Sequence, residues 1–176
     1  MEIESARSKK FLHIGVHNSL NSNAGDTVLF EMVRECFDRG LDARIDWSLR
    51  QIWEPFRLQD SILVNQEFDA VVIGGGGLLL RDQAGADSTV SGWQWNCTVE
   101  ALDTISIPIF VFAVGYNRFR GQPEFDSVFR RHISLLVEKS AFFGLRNTGS
   151  IRQVQRYLPS NLSGKAVRQF CPTTLI

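Results

Sequence analysis

Apolar residues in this chain come in short continuous runs, separated by stretches with a helical period. Residues 11–16 (Phe-Leu-His-Ile-Gly-Val) form the first run and the turn-rich residues 18–25 follow it, which predicts a strand and a loop. Asp26 or Thr27 can cap a helix running to about residue 37. Val28, Leu29, Met32, Val33 and Cys36 lie along one face of it, and Gly40 closes it. Residues 43–47 read as a second strand and 60–65 as a short helix. The run 70–73 predicts a buried strand that Gly74, Gly75, Gly76 and Gly77 end abruptly, with a loop over 78–91. A helix over 93–104 follows, then the strongest strand over 108–114, ended by Gly115-Tyr116-Asn117. Helix 124–139, strand 141–145, helix 147–157 and a short strand 166–170 complete the alternation.

Uninterrupted apolar strands alternating with amphipathic helices imply an α/β fold, a parallel sheet with helices on both faces. Residues 1–10 are polar and charged and are expected to precede this lobe as a flexible segment. Ligands of such sheets collect at the carboxyl ends of the strands. That rule selects four loops: after Val16, Ile73, Val114 and Leu145.

Composition narrows the function classes. The 176 residues suffice for one domain or one lobe of a two-lobed enzyme. With 19 basic and 19 acidic residues the formal net charge is zero, which argues against nucleic-acid binding by phosphate neutralisation. A local basic pocket for a small anion stays open. The apolar runs are too short to span a bilayer and the polar start is no signal peptide, so the chain reads as cytoplasmic. Cys36, Cys97 and Cys171 share no close spacing and support neither a disulfide framework nor a zinc site. The triplets at Asn96 and Asn161 read as chance matches to the glycosylation pattern.

Arg146 is the leading candidate for chemistry. It stands where a strand ends and a helix begins, before Asn147, Thr148, Gly149 and Ser150. A helix start offers unpaired N–H groups, and a guanidinium adds a bidentate clamp for carboxylate or phosphate. The alternative is an ion pair with an acid such as Asp26 or Asp82. Asp26 can cap its helix, bind sugar hydroxyls or take a proton from one. Its charge suits the first loop to a neutral polyhydroxyl ligand better than to an anion. Asn18, Asn21 and Asn23 can bind hydroxyls or favour tight turns, and Gly25 belongs to the same loop. Gly74 to Gly77 either admit a ligand to the backbone or allow close helix–sheet packing. They form neither a Walker loop, since no Gly-Lys-Ser/Thr follows, nor a dinucleotide fingerprint, since position 79 is Leu where Gly or Ala is wanted. His17, at the mouth of the first strand, can exchange a proton near neutral pH or be a plain loop residue. His13 and His132 read as structural, Trp93 and Trp95 as core, and Arg118 and Arg120 as a solvated loop.

The loops read His17-Asn18-Ser19-Leu20-Asn21-Ser22-Asn23-Ala24-Gly25-Asp26, then Asp69 through the four glycines to Leu79. Phe112-Ala113-Val114-Gly115-Tyr116-Asn117 and Gly144-Leu145-Arg146-Asn147-Thr148-Gly149-Ser150 follow, with Cys171-Pro172-Thr173-Thr174 after the last strand. In this order and spacing they resemble the polysaccharide pyruvyl transferase family over about residues 11–176. The resemblance reaches one of that family's two Rossmann-like lobes, which together are similar to the two-lobed glycosyltransferase (GT-B) arrangement. A second lobe is absent from the sequence and is expected from a continuation, a separate chain or a second copy.

The resemblance implies transfer of the pyruvyl group of phosphoenolpyruvate onto two saccharide hydroxyls as a ketal, in surface polysaccharide synthesis. Phosphoenolpyruvate is then the donor substrate, and no cofactor or metal is implied. Within the family's Arg-Asp or Arg-Asn pattern followed by Ser, Arg146 resembles a donor-binding residue, and Asn147 stands where many relatives have Asp. The acid and further donor contacts are expected in the second lobe. Two other readings stay open: a glycosyltransferase lobe using a nucleotide sugar, and a non-catalytic saccharide-binding module.

Overall fold

The computed structural model describes residues 8–17, 24–81 and 87–175. Its strands are β1 (Lys9–Gly15), β2 (Ile45–Gln51), β3 (Ala70–Leu79), β4 (Ile109–Tyr116), β5 (Ser140–Leu145) and β6 (Ala166–Arg168). The helices are α1 (Ala24–Gly40), α2 (Leu58–Glu67), α3 (Ser88–Ser91), α4 (Val99–Thr104), α5 (Ser127–Lys139) and α6 (Thr148–Gln155). Short 3-10 turns occupy Ser163–Lys165 and Pro172–Leu175.

All five strand pairs are parallel, in the order β2-β1-β3-β4-β5-β6. The direction of sheet growth reverses once, at β1. Right-handed crossovers therefore place α1 on one face and the later helices on the other. Side-chain alternation along β1 shows the result: Leu12 and Ile14 join one core with Ile73, Val111, Leu102 and Ile133. Phe11 joins the other with Val72, Ala113 and Val33 of α1. The expected α/β parallel sheet with helices on both faces is the observed fold.

Local chemistry accounts for the helices. Asp126 caps α5, its Oδ1 accepting from the N–H groups of Val128 (3.0 Å) and Phe129 (3.2 Å). Phe129, Ile133, Leu136 and Val137 then recur at helical spacing and are buried.

Several stretches differ from the expectation: Lys9 and Lys10 already belong to β1, and the loop expected over 78–91 holds the end of β3 and helix α3. The glycines do not end β3: Gly74 pairs with Phe112, Gly76 with Val114 and Leu79 with Tyr116, with a register irregularity after Gly76. The neighbouring strand supplies the ladder partners, so pairing continues although the apolar pattern has stopped. Residues 93–98 are not helical, and α4 begins only at Val99. Gly92, at φ 82, turns the chain, and the segment is tied to residues 52–56 by Asn96 N–H to Ile52 O (3.1 Å) and Phe56 N–H to Asn96 O (2.8 Å). Its apolar density reflects burial: Trp93 and Trp95 are sealed in the core, and Trp93 Nε1 donates to His132 Nδ1 at 3.0 Å. Among the described residues no helix is long and apolar enough to cross a membrane.

Candidate functional site

The ends of β4 and β5 carry the best-defined polar arrangement. Arg146 follows β5, and its N–H donates to Val114 O at 3.0 Å, which fixes the backbone beside β4. Its half-buried side chain lies over Gly115: a β-carbon there would meet Nε at 2.3 Å and Cζ at 2.6 Å. Nη2 donates to Asn117 Oδ1 at 3.4 Å. Among the described residues no carboxylate pairs with this guanidinium, while Asp82 and the side chain of Asp26 lie outside them.

The start of α6 completes this end. Asn147 Oδ1 caps the helix by accepting from Ser150 N–H at 2.7 Å. Ser150 Oγ accepts from Tyr116 N–H at 3.0 Å and is buried. Ser150 thus anchors the helix start to β4, and the exposed Thr148 and Gly149 stand first in the helix. A guanidinium, a capped helix start and the Gly115 backbone make a cationic corner that suits a small carboxylate or phosphate.

A second cluster sits at the end of β1. Phe30 of α1 stacks on His13 (centroids 3.7 Å) and on His17 (4.9 Å). Buried His13 donates Nε2–H to Gly74 O at 3.2 Å, since a carbonyl only accepts. Burial pushes its pKa down to about 3, so it is neutral and structural. The His17 backbone is clamped by Gln51, whose Oε1 accepts from its N–H at 3.3 Å and whose Nε2 donates to its carbonyl. Burial is the main cause that lowers the His17 pKa, with Glu54 opposing and Arg34 adding to it. The shift favours the neutral ring.

The glycine stretch does different work at each position. A β-carbon on Gly74 would lie 2.7 Å from Phe112 O of β4 and 3.3 Å from the Val33 side chain of α1, while one on Gly75 would lie 2.9 Å from Phe30 Cα, so α1 touches the backbone directly only at Gly75. Gly76 is buried at φ 127. Gly77 borders Asn117, whose Nδ2 would be 1.8 Å from an added β-carbon. Gly25 is exposed in the first turn of α1. Asn18, Asn21 and Asn23 lie outside the described residues.

The structure therefore brings Arg146, Gly115, Asn147 and Ser150 together and adds Gly77 through Asn117. No described contact joins them to His17. Three strand spacings separate the ends of β1 and β5, on the order of 14 Å. In the sequence Asn117 reads only as the last residue of the Gly115-Tyr116-Asn117 stretch that ends a strand, with no partner assigned. Arg118 is committed to Glu124, and Arg120 is exposed. Among the described residues no group of three or more His, Cys, Asp or Glu is placed to hold a metal ion.

A family model described as polysaccharide pyruvyl transferase matches residues 23–176. No curated protein matches the chain, and no solved structure matches it.

Proposed function

The chain belongs to the polysaccharide pyruvyl transferase family, and from that premise we propose that it carries the donor corner of a phosphoenolpyruvate-dependent ketal-forming transferase acting on a surface polysaccharide or its precursor. One observation carries the reading: Arg146 is half-buried, seated over Gly115, and among the described residues its guanidinium meets a neutral amide and no carboxylate. A partly desolvated guanidinium with donors to spare attracts an anion more strongly than one on open surface. Phosphoenolpyruvate offers both a carboxylate and a phosphate.

In the proposed reaction a proton adds to the methylene carbon, which makes C2 electrophilic. A saccharide hydroxyl attacks C2, the phosphate leaves with its bonding electron pair, and a second hydroxyl attacks C2 to close the ketal. Of the two hydroxyl protons released, one balances the proton added to carbon and the other departs with the phosphate. Arg146 and the start of α6 would stabilise the leaving phosphate. His17, neutral and at the end of β1, would accept a hydroxyl proton, with Asp26 and the asparagines of that loop binding the acceptor. The acid that protonates the methylene carbon is assigned to a second lobe or a partner copy.

Incubation of the chain together with the lobe or partner copy that supplies this acid tests the reading, with phosphoenolpyruvate and saccharide acceptors present and with phosphate release and the ketal methyl signal followed by NMR. Equimolar phosphate and ketal, lost in Arg146→Ala, is the expected result. Transfer from a nucleotide sugar without consumption of phosphoenolpyruvate would overturn it.

A further inference from the structure

Asn117 is where the glycine stretch of β3 meets the arginine that follows β5. Its backbone N–H donates to Leu79 O at 2.9 Å, which fixes the base of the side chain. Nδ2 donates to Gly77 O at 3.4 Å, and Oδ1 accepts from Arg146 Nη2 at 3.4 Å. Chemistry decides which amide atom faces which partner. A carbonyl only accepts and a guanidinium only donates, so the opposite orientation would lose both contacts. Two glycines leave the room: a β-carbon at Gly77 would overlap Asn117, and one at Gly115 would overlap Arg146.

We infer that Asn117 is a positioning residue that aims the Arg146 guanidinium at the anionic donor without neutralising it. The inference rests on the reading of Arg146 as the donor-binding residue. A carboxylate at position 117 would grip the guanidinium more firmly, but it would cancel the charge the donor needs. The neutral amide sets direction instead. At 3.4 Å its contact is long, and among the described residues Nε and Nη1 of Arg146 have no other partner. The amide is itself held from β3, so the aim depends on Gly77, a residue 40 positions earlier in the chain.

Calorimetric titration of phosphoenolpyruvate into the whole chain tests this with Asn117→Ala, Asn117→Asp, Gly77→Ala and Arg146→Ala, each with its melting temperature. Asn117→Ala and Gly77→Ala are expected to weaken donor binding about fivefold with the melting temperature unchanged, the loss of one oriented contact to a charged group. Asn117→Asp is expected to weaken it further, although it keeps an acceptor for Arg146. Gly77→Ala keeps the test decisive should Asn117→Ala not fold. Lowered melting temperatures with unchanged affinity, or an Asp variant that binds better than the Ala variant, would overturn the inference. Wild-type affinity in Asn117→Ala beside a loss in Arg146→Ala would overturn it and leave the donor reading standing. Wild-type affinity in Arg146→Ala, or no saturable binding by the unsubstituted chain, would overturn both.

Discussion

The β-carbon that Gly75 lacks would sit 2.9 Å from the Cα of Phe30, so strand β3 and helix α1 touch backbone to backbone at this point. Gly75 also adopts φ 83, a conformation that side-chain-bearing residues rarely take. Neither atom can move without shifting a whole element. Gly75→Ala is therefore expected to destabilise the fold by about 2 kcal/mol or more. Urea unfolding of the two proteins measures it, and a midpoint unchanged by the substitution would contradict the packing described here.

Gly115 gives the opposite prediction. The atoms an alanine would meet there are the guanidinium end of Arg146, a flexible side chain that can swing aside. Gly115→Ala should leave the melting temperature close to wild type and weaken donor binding roughly tenfold, because the guanidinium leaves its seat. A loss of stability with intact binding would show that the glycine serves packing alone.

Acid should unfold the protein through its buried histidines. His13 and His132 are both held neutral by burial, their pKa values pushed from the ordinary 6.5 down to about 3. Below about pH 6.5 the unfolded chain takes up protons that the folded chain refuses, so stability falls as the pH falls towards 3. Each of these residues contributes a slope of ~1 kcal/mol per pH unit across that window. Denaturant unfolding at several pH values between 7 and 4 should show the decline. His13→Phe, which keeps a flat ring against Phe30, should make it shallower. The same slope in both proteins would contradict this origin.

Much of this arrangement was legible in the sequence wherever one residue's neighbours in the chain decide its structure. The runs that became β1 and β4 and the helical period of α5 read directly. So did the placing of Arg146 at a strand end, because composition alone marks where an apolar run stops. What did not read is what distant residues decide. Gly74 and Gly76 belong to β3 because Phe112 and Val114 pair with them. Trp93 and Trp95 are apolar because His132 and the segment around Phe56 enclose them, not because they form a helix. Asn117 read only as the end of a strand because its partners, Gly77 and Arg146, lie 40 and 29 positions away.

The central claim is that Arg146 binds the anionic donor, and equilibrium titration with phosphoenolpyruvate tests it most directly. The whole chain should bind in a saturable way, Arg146→Ala should bind roughly 10- to 100-fold more weakly, and Arg146→Lys should fall between them, keeping the charge but losing the fork of donors. Equal affinity in the wild type and Arg146→Ala, with both proteins folded, would contradict the account.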